Sequence, residues 1–164
     1  MLDTLIQRLD NFNRSLGRGI AWLTLITVLL TFVIVVLRYG FDWGSIAMQE
    51  SVIYLHALVF MAGAAYTLER DEHVRVDIFY SHMGPKHKAW VNLLGSLLFL
   101  LPFCLFTLWV SLPYAANSWK LLEGSREAGG LPLVFLLKSY IPIMAILLLL
   151  QGISLAARSL KEIR

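Results

Sequence analysis

The residues best able to do chemistry lie in one charged block between two long apolar runs. Its potential metal ligands are Glu69, Asp71, Glu72, His73 and Asp77, with His82 and His87 beyond them. They alternate with Arg70 and Arg75, and the sequence contains neither an HExxH pattern nor paired cysteines. On a helix, His73 and Asp77 would share one face, which suits an ion-paired cap or a docking surface better than a metal site.

Two further ionisable residues lie within apolar runs, where a charge is costly and therefore indicates a function. His56 could ligate haem, but bis-histidine ligation needs a second intramembrane histidine, and the other histidines lie in the charged block. Lys138 lies near the start of the last apolar run, and two interpretations stay open. Its ammonium group snorkels to the membrane surface, or it pairs with Glu50, Glu127, a lipid phosphate or a carboxylate of a partner.

Other chemistries find little support. The sequence has no Gly-x-Ser-x-Gly or Walker motif, and its single cysteine, Cys104, fits a small apolar filler. We therefore expect no enzyme activity, no metal and no cofactor in this chain. The net charge of +3 comes from basic residues beside apolar runs, which predicts membrane topology and no nucleic-acid partner.

The composition predicts an all-α integral membrane protein. Of 164 residues, 58% are hydrophobic and 15% charged, whereas soluble domains carry about a quarter charged residues. A span of about 20 apolar residues crosses a bilayer. We predict one domain with four transmembrane helices, a cytoplasmic link and a leading segment: 1–18 interfacial, 19–37 first span, 51–68 second span, 69–88 link, 89–112 third span and 132–157 fourth span.

Two amphipathic interfacial helices complete this prediction. Residues 1–18 carry Leu2, Leu5, Ile6, Leu9, Phe12 and Leu16 at helical spacing between arginines. The following apolar run exceeds a signal-peptide core and lacks a cleavage site, so we expect it to remain uncleaved. Residues 74–83 predict a short second helix along the membrane surface. Pro102 is expected to kink the third span. Pro113 is expected to mark its outer end, with an extension to Trp119 as the alternative.

Charge placement predicts orientation. Most Lys and Arg lie in the N-terminal segment, in the central block to Lys88 and in the C-terminal tail, so we place both termini in the cytoplasm. Small residues in the second span, Gly63, Ala64 and Ala65, permit close helix approach. They pack either against neighbouring spans of this chain or against a partner subunit.

Several of these residues carry a family resemblance. The motifs are Phe60-Met61-Ala62-Gly63-Ala64-Ala65, Arg70, His73-Val74-Arg75-Val76-Asp77, Gly129-Gly130-Leu131-Pro132, Lys138, Ile141-Pro142 and Leu150-Gln151. Together they resemble the small membrane subunit (DctQ-type) of tripartite ATP-independent periplasmic (TRAP) transporters. Glu50 lies where such subunits carry an acidic residue, but Gln49 replaces the usual acidic partner and the usual nearby tryptophan is missing.

The resemblance implies a scaffold subunit of the bacterial inner membrane. Its partners would be a large multi-span transport subunit, a periplasmic substrate-binding protein and membrane lipid, and the sodium that drives organic-acid uptake would bind the large subunit. Structural or interface roles, rather than substrate binding, are carried over to Glu50, Arg70, His73, Asp77 and Lys138.

Two other classes stay open from the sequence. A four-helix membrane anchor of a respiratory haem or quinone complex would show haem absorbance. A small homo-oligomeric exporter or channel would work without a second membrane protein and would normally carry a carboxylate in the middle of a span.

Overall fold

The computed structural model describes residues 2–74 and 77–163, and at residues 2, 3, 5 and 77 it describes the backbone without the side chain. In chain order these ranges contain α1 (Leu2–Phe41), α2 (Ile46–Glu69), α3 (Asp77–Tyr80), α4 (Pro85–Gly95), a π-helical segment (Ser96–Leu100), α5 (Leu101–Leu121) and α6 (Val134–Ile163). Four helical stretches are long and apolar enough to cross a bilayer: α1, α2, α4 to α5, and α6. The predicted all-α fold with four membrane-spanning helices is confirmed.

Helix α1 is longer than predicted. It runs without interruption from Leu2 to Phe41, so no break in the helix marks the predicted boundary between an interfacial segment at 1–18 and a span at 19–37. No glycine-proline pair or cap separates the two parts, and helix propagates readily once it is formed. The position of residues 1–18 relative to the membrane stays a prediction.

Helix α2 begins at Ile46, before the predicted start at residue 51. The Ser45 hydroxyl caps it by accepting a hydrogen bond from the Met48 backbone N–H at 3.4 Å. At the other end, the Arg70 backbone N–H donates to the Tyr66 carbonyl at 3.0 Å. Glu50 therefore lies inside the first turns of the helix rather than immediately before it.

The link after α2 contains less helix than predicted. Instead of a helix over 74–83, α3 forms a single turn from Asp77 to Tyr80. His73 lies in a bend before it, so His73 and Asp77 do not share a helix face. The side chain of Asp77, like residues 75 and 76, lies outside the described residues. The position of this link against a membrane surface stays a prediction.

The third span accommodates two prolines. The π-helical segment ends at Leu100, two residues before Pro102, and the Leu101 N–H donates to the Ser96 carbonyl five residues back. This extra residue per turn gives the proline ring room that a regular helix lacks. Pro113 was predicted to mark the outer end of the span, but the helix continues through it to Leu121.

Helix α6 is the centre of the packing, because it contacts α1, α2, α4 and α5. The core consists mainly of small or compact side chains: Ile20, Ala62, Ala65, Cys104, Leu147 and Leu148. Large apolar side chains such as Phe32, Phe99 and Trp109 are exposed instead. Small interior residues and a large apolar exterior are typical of helices that pack within lipid.

Candidate functional site

A network of buried polar side chains joins the two ends of the chain. Asp10 on α1 accepts hydrogen bonds from Gln151 Nε2 at 3.0 Å and Ser154 Oγ at 2.8 Å, and it forms an ion pair with Arg158. Asn13 Nδ2 donates to Gln151 Oε1 at 2.7 Å. We call these five residues the Asp10 network. It places the start of α1 and the end of α6 at one end of the bundle, which we call the termini end.

The Asp10 network explains which face of α1 points inward. The buried positions are Ile6, Asp10, Asn13, Gly17 and Ile20, which recur at spacings of three and four residues. Phe12, a member of the predicted apolar stripe, is half exposed. The inward face can carry the polar residues Asp10 and Asn13 because Gln151 and Ser154 of α6 lie opposite and form hydrogen bonds with them.

An ion pair joins α1 to α2 at the same end. Arg14 Nη2 lies 2.5 Å from Glu69 Oε1, and the Glu69 side chain is 3% exposed. One turn further along α1, a Cβ at Gly17 would overlap the Tyr66 ring. Glycine at position 17 therefore allows α1 and α2 to approach closely enough for the ion pair to form.

Arg70 and His73, two predicted site residues, extend this contact. Arg70 Nε donates to the Tyr66 hydroxyl at 3.3 Å, and its guanidinium carbon lies 5.6 Å from the centre of the same ring. His73 Nε2 lies 3.1 Å from the Ala64 carbonyl. Both side chains lie at the C-terminal end of α2, and both are exposed to solvent.

Glu50 organises the opposite end of the bundle. Its Oε2 accepts from the Leu131 backbone N–H at 2.6 Å, and its Oε1 accepts from the Ser125 hydroxyl. A Cβ at Gly130 would approach Glu50 Oε1 to 2.9 Å, and Gly129 has a φ of +81°. The Gly129-Gly130 pair is needed because the backbone turns sharply and approaches the carboxylate closely.

Lys138 forms its ion pair with Glu123. The distance from Nζ to Glu123 Oε2 is 2.5 Å, and the same oxygen accepts from Ser118 Oγ at 2.7 Å. Lys138 Nζ also lies 4.2 Å from the centre of the Tyr114 ring. The predicted pairing with Glu50 or Glu127 is wrong, because α5 extends to Leu121 and brings Glu123 beneath Lys138.

The geometry around Glu123 has an electrostatic consequence. The hydrogen bond from Lys138, followed by that from Ser118, lowers the pKa of the Glu123 carboxyl group below its usual value. The charged form of Glu123 is therefore the form that holds α5, α6 and the link between them together.

The small residues predicted for helix packing occupy different environments. Ala65 is fully buried, and Ala64 is partly buried against the core. At Gly63 a Cβ would meet no atom within 4 Å. Gly63 therefore leaves open space on α2, while the close approach of α1 occurs at Gly17.

The remaining ionisable candidates show no assembled reaction centre. His56 is exposed on α2, and Cys104 is buried in the core. Within residues 2–74 and 77–163, no group of three or more His, Cys, Asp and Glu side chains is placed to hold a metal ion. What the described polar groups do together is join helices to one another.

The sequence did not reveal the roles of Asp10, Asn13, Ser154 and Glu123, and it identified Gln151 only as part of the Leu150-Gln151 motif. A usable signal was present on α6, where Gln151 and Ser154 recur three residues apart inside an apolar run. Polar residues at such spacing need a polar partner on a neighbouring helix. Their partners on α1, Asp10 and Asn13, lie outside the apolar stripe predicted for residues 1–18.

These helices and their paired polar side chains define a multi-pass helical membrane protein. The family model described as "Tripartite ATP-independent periplasmic transporters, DctQ component" matches residues 27–162. The chain belongs to this family of small transporter subunits, which is not an enzyme family. No curated protein and no solved structure matches the chain. The matched range covers α1 from residue 27 onward and α2 to α6 up to residue 162, and it excludes Asp10, Asn13 and Arg14.

Proposed function

We propose that the chain is the scaffold subunit of a sodium-coupled, binding-protein-dependent transporter of organic acids. The observation that carries this proposal is that three ion pairs, each with at least one side chain largely removed from solvent, hold parts of the chain together. Arg158 pairs with Asp10, Arg14 with Glu69, and Lys138 with Glu123. Each pair joins different parts of the chain. Charges committed in this way support a rigid framework, whereas a substrate path needs polar groups that face a passage.

The outer half of α1 is the surface proposed to bind the large transport subunit. Its half-buried positions recur at spacings of four and three residues, at 23, 27, 30, 34 and 37, and so form one face. Away from that face its large apolar side chains are exposed: Leu25, Ile26, Val28, Leu29, Phe32, Val33, Val35 and Val36. Of the four candidate spans, α1 is the one least buried within the described part of the chain. A partner helix would bury it.

Gly63 supports a second contact with the large subunit. Its Cβ position is open, and small residues on a span allow another helix to approach the backbone. Arg70 and His73, exposed at the end of the same helix, would then lie at the rim of that contact.

The substrate-binding protein would meet the opposite end of the bundle. The links there are residues 42–45 and 122–133, and the second is held by Glu50 and Glu123. With the termini in the cytoplasm, as the basic residues predict, these links face the periplasm. Sodium and the organic acid would bind the large subunit. The family assignment does not favour the respiratory-anchor alternative.

Photo-cross-linking in native membranes tests this proposal. A photoreactive residue replaces Phe32 on α1 in one variant and Trp109 on α5, which is 76% exposed, in another. We expect a cross-link to a large multi-span subunit from position 32 and little from position 109. Cross-links from position 109 alone would contradict the role of α1, and no cross-link from either would contradict the scaffold.

A further inference from the structure

A polar cavity opens at the termini end, between the end of α2, the start of α4 and the end of α6. Its volume is about 440 Å³. Five charged residues line it: Glu69, Asp71, Lys88, Arg158 and Glu162. Three are acidic and two are basic; of these, Glu69 also pairs with Arg14 and Arg158 with Asp10. Charges of both signs therefore line the cavity, which suits a ligand that carries a positive group together with a negative one.

Glu69 provides an unused hydrogen-bond acceptor in this cavity wall. Its side chain is 3% exposed and its Oε1 accepts from Arg14. The second oxygen, Oε2, has no hydrogen-bond donor among the described residues, and its one charged partner there is Arg70, whose Nε forms a longer ion pair with it at 3.8 Å. A buried carboxylate oxygen without a donor is costly, so a ligand with N–H groups would be stabilised here.

An apolar groove continues from the cavity along the span. It has a volume of about 690 Å³ and shares Leu68, Tyr80, Asn92 and Leu155 with the cavity. Beyond these residues it follows the π-helical segment, past Phe99 and Leu100, to Leu148 on α6. From Leu155 to Leu148 the groove runs roughly 10 Å along the helix, given a rise of about 1.5 Å per residue.

We propose that the cavity and groove together bind one aminophospholipid of the phosphatidylethanolamine type. A rotation of the Glu69 side chain turns Oε2, which is buried, toward the cavity, where the ammonium group of the lipid donates to it. The phosphate lies near Lys88 and Arg158, and an acyl chain fills the groove. A polar site that opens directly into an apolar groove on a membrane-spanning surface matches the two parts of a lipid.

The charged residues of the cavity favour one lipid headgroup over others. Phosphatidylcholine carries a quaternary ammonium with no N–H to donate, so it leaves Glu69 Oε2 without a partner. Phosphatidylglycerol brings a negative charge without a compensating ammonium into a cavity with three carboxylates. Phosphatidylethanolamine supplies both an N–H donor and a charge opposite to that of Glu69.

Native mass spectrometry of the full chain in detergent tests this site with three lipids of identical acyl chains. We expect phosphatidylethanolamine to bind about tenfold more tightly than phosphatidylcholine or phosphatidylglycerol, because a charge-assisted hydrogen bond contributes about that factor. Glu69→Gln keeps an oxygen for Arg14 and replaces the unused oxygen with an amide NH₂. This variant should bind phosphatidylethanolamine and phosphatidylcholine equally.

A second variant tests the groove without altering Glu69. Gly95 lines the groove, and a Cβ there meets no atom within 4 Å, so Gly95→Leu fills the groove without a clash at the Cβ. It should weaken phosphatidylethanolamine binding about tenfold, as loss of apolar burial predicts. Gly40→Leu is the matched control, since Gly40 is also helical with open space at Cβ and lies outside the groove. It should bind as the wild type does.

Four results would overturn the proposal: equal binding of phosphatidylethanolamine and phosphatidylcholine, tightest binding of phosphatidylglycerol, no effect of Gly95→Leu, or full competition by glycerophosphoethanolamine. The last would identify a soluble ligand instead of a lipid. If Glu69→Gln does not fold, the comparison of the two glycine variants decides. The measurement needs no transport partner, so its outcome is separate from that of the proposed function.

Discussion

Asp10 and Arg158 form an ion pair between the first and last spans of the chain. The carboxylate is nearly buried and also accepts from Gln151 and Ser154, whereas the Arg158 side chain is 43% exposed. This contact closes the bundle, because α1 and α6 would otherwise be joined mainly through α2. It gives a direct test of how the scaffold is held together.

Asp10→Ala should destabilise the bundle. It leaves the buried Gln151 amide and Ser154 hydroxyl without their acceptor, and each such group costs about 1–3 kcal/mol. Thermal unfolding in detergent, followed by circular dichroism, should show a lower midpoint than the wild type. Arg8→Ala, at an exposed position of the same helix, is the control and should leave the midpoint unchanged. Equal midpoints for both variants would show that the Asp10 network contributes nothing.

Gly17→Ala should separate α1 from α2. The added Cβ would overlap the Tyr66 ring, and overpacking of this kind costs about 1–3 kcal/mol. Gly19→Ala, two residues away with open space at Cβ, should be neutral or slightly stabilising because alanine favours helix. The midpoints of thermal unfolding of the two variants give the comparison. A Gly17→Ala variant as stable as Gly19→Ala would show that the helices are not closely packed here.

Glu50→Ala should loosen the link at the opposite end without unfolding the spans. The Leu131 backbone N–H loses its acceptor, so its amide hydrogen should exchange faster with solvent. Hydrogen–deuterium exchange read by mass spectrometry localises the effect to residues 122–133. Glu127→Ala removes an exposed carboxylate of the same link and should leave exchange unaltered. Faster exchange throughout the spans would mean that Glu50 supports the whole fold.

The ion pair between Glu123 and Lys138 should make the stability of the fold depend on pH. Lys138 and Ser118 lower the pKa of Glu123 in the folded state. The carboxylate therefore stabilises the fold fully at a pH above its pKa in the unfolded chain, which is about 4.3. This stabilisation is lost as the pH falls through the lower pKa of the folded state. The unfolding midpoint of the wild type should therefore decline below about pH 4.3. In Glu123→Gln this part of the decline should be missing. Parallel pH profiles for the two proteins would contradict the pairing.

The fold was largely predictable because apolar runs of sufficient length have few alternatives in a membrane protein. The boundaries were less predictable. Ser45 starts α2 earlier than the apolar run suggests, and α5 passes through Pro113 because Ala115 and Ser118 beyond it are buried. Packing of this kind outweighs a proline cost of about 3 kcal/mol, and no local pattern reveals it.

The polar contacts were predictable only in part. Glu50 and Lys138 stood out because each charge lies beside an apolar run, but their partners depend on how the link from 122 to 133 folds back. Asp10 and Asn13 could not be identified from the sequence. The segment 1–18 contains many polar and charged residues, and their spacing does not show which of them face the other helices. Only the three-dimensional arrangement of α1 against Gln151 shows this.

Affinity purification of the tagged chain from native membranes tests the central claim most directly. Mass spectrometry and an absorbance spectrum of the eluate are recorded together. A scaffold subunit should elute with a multi-span partner in stoichiometric amount and without a haem band. A chain that elutes alone, or with a Soret band and redox subunits, would contradict the account.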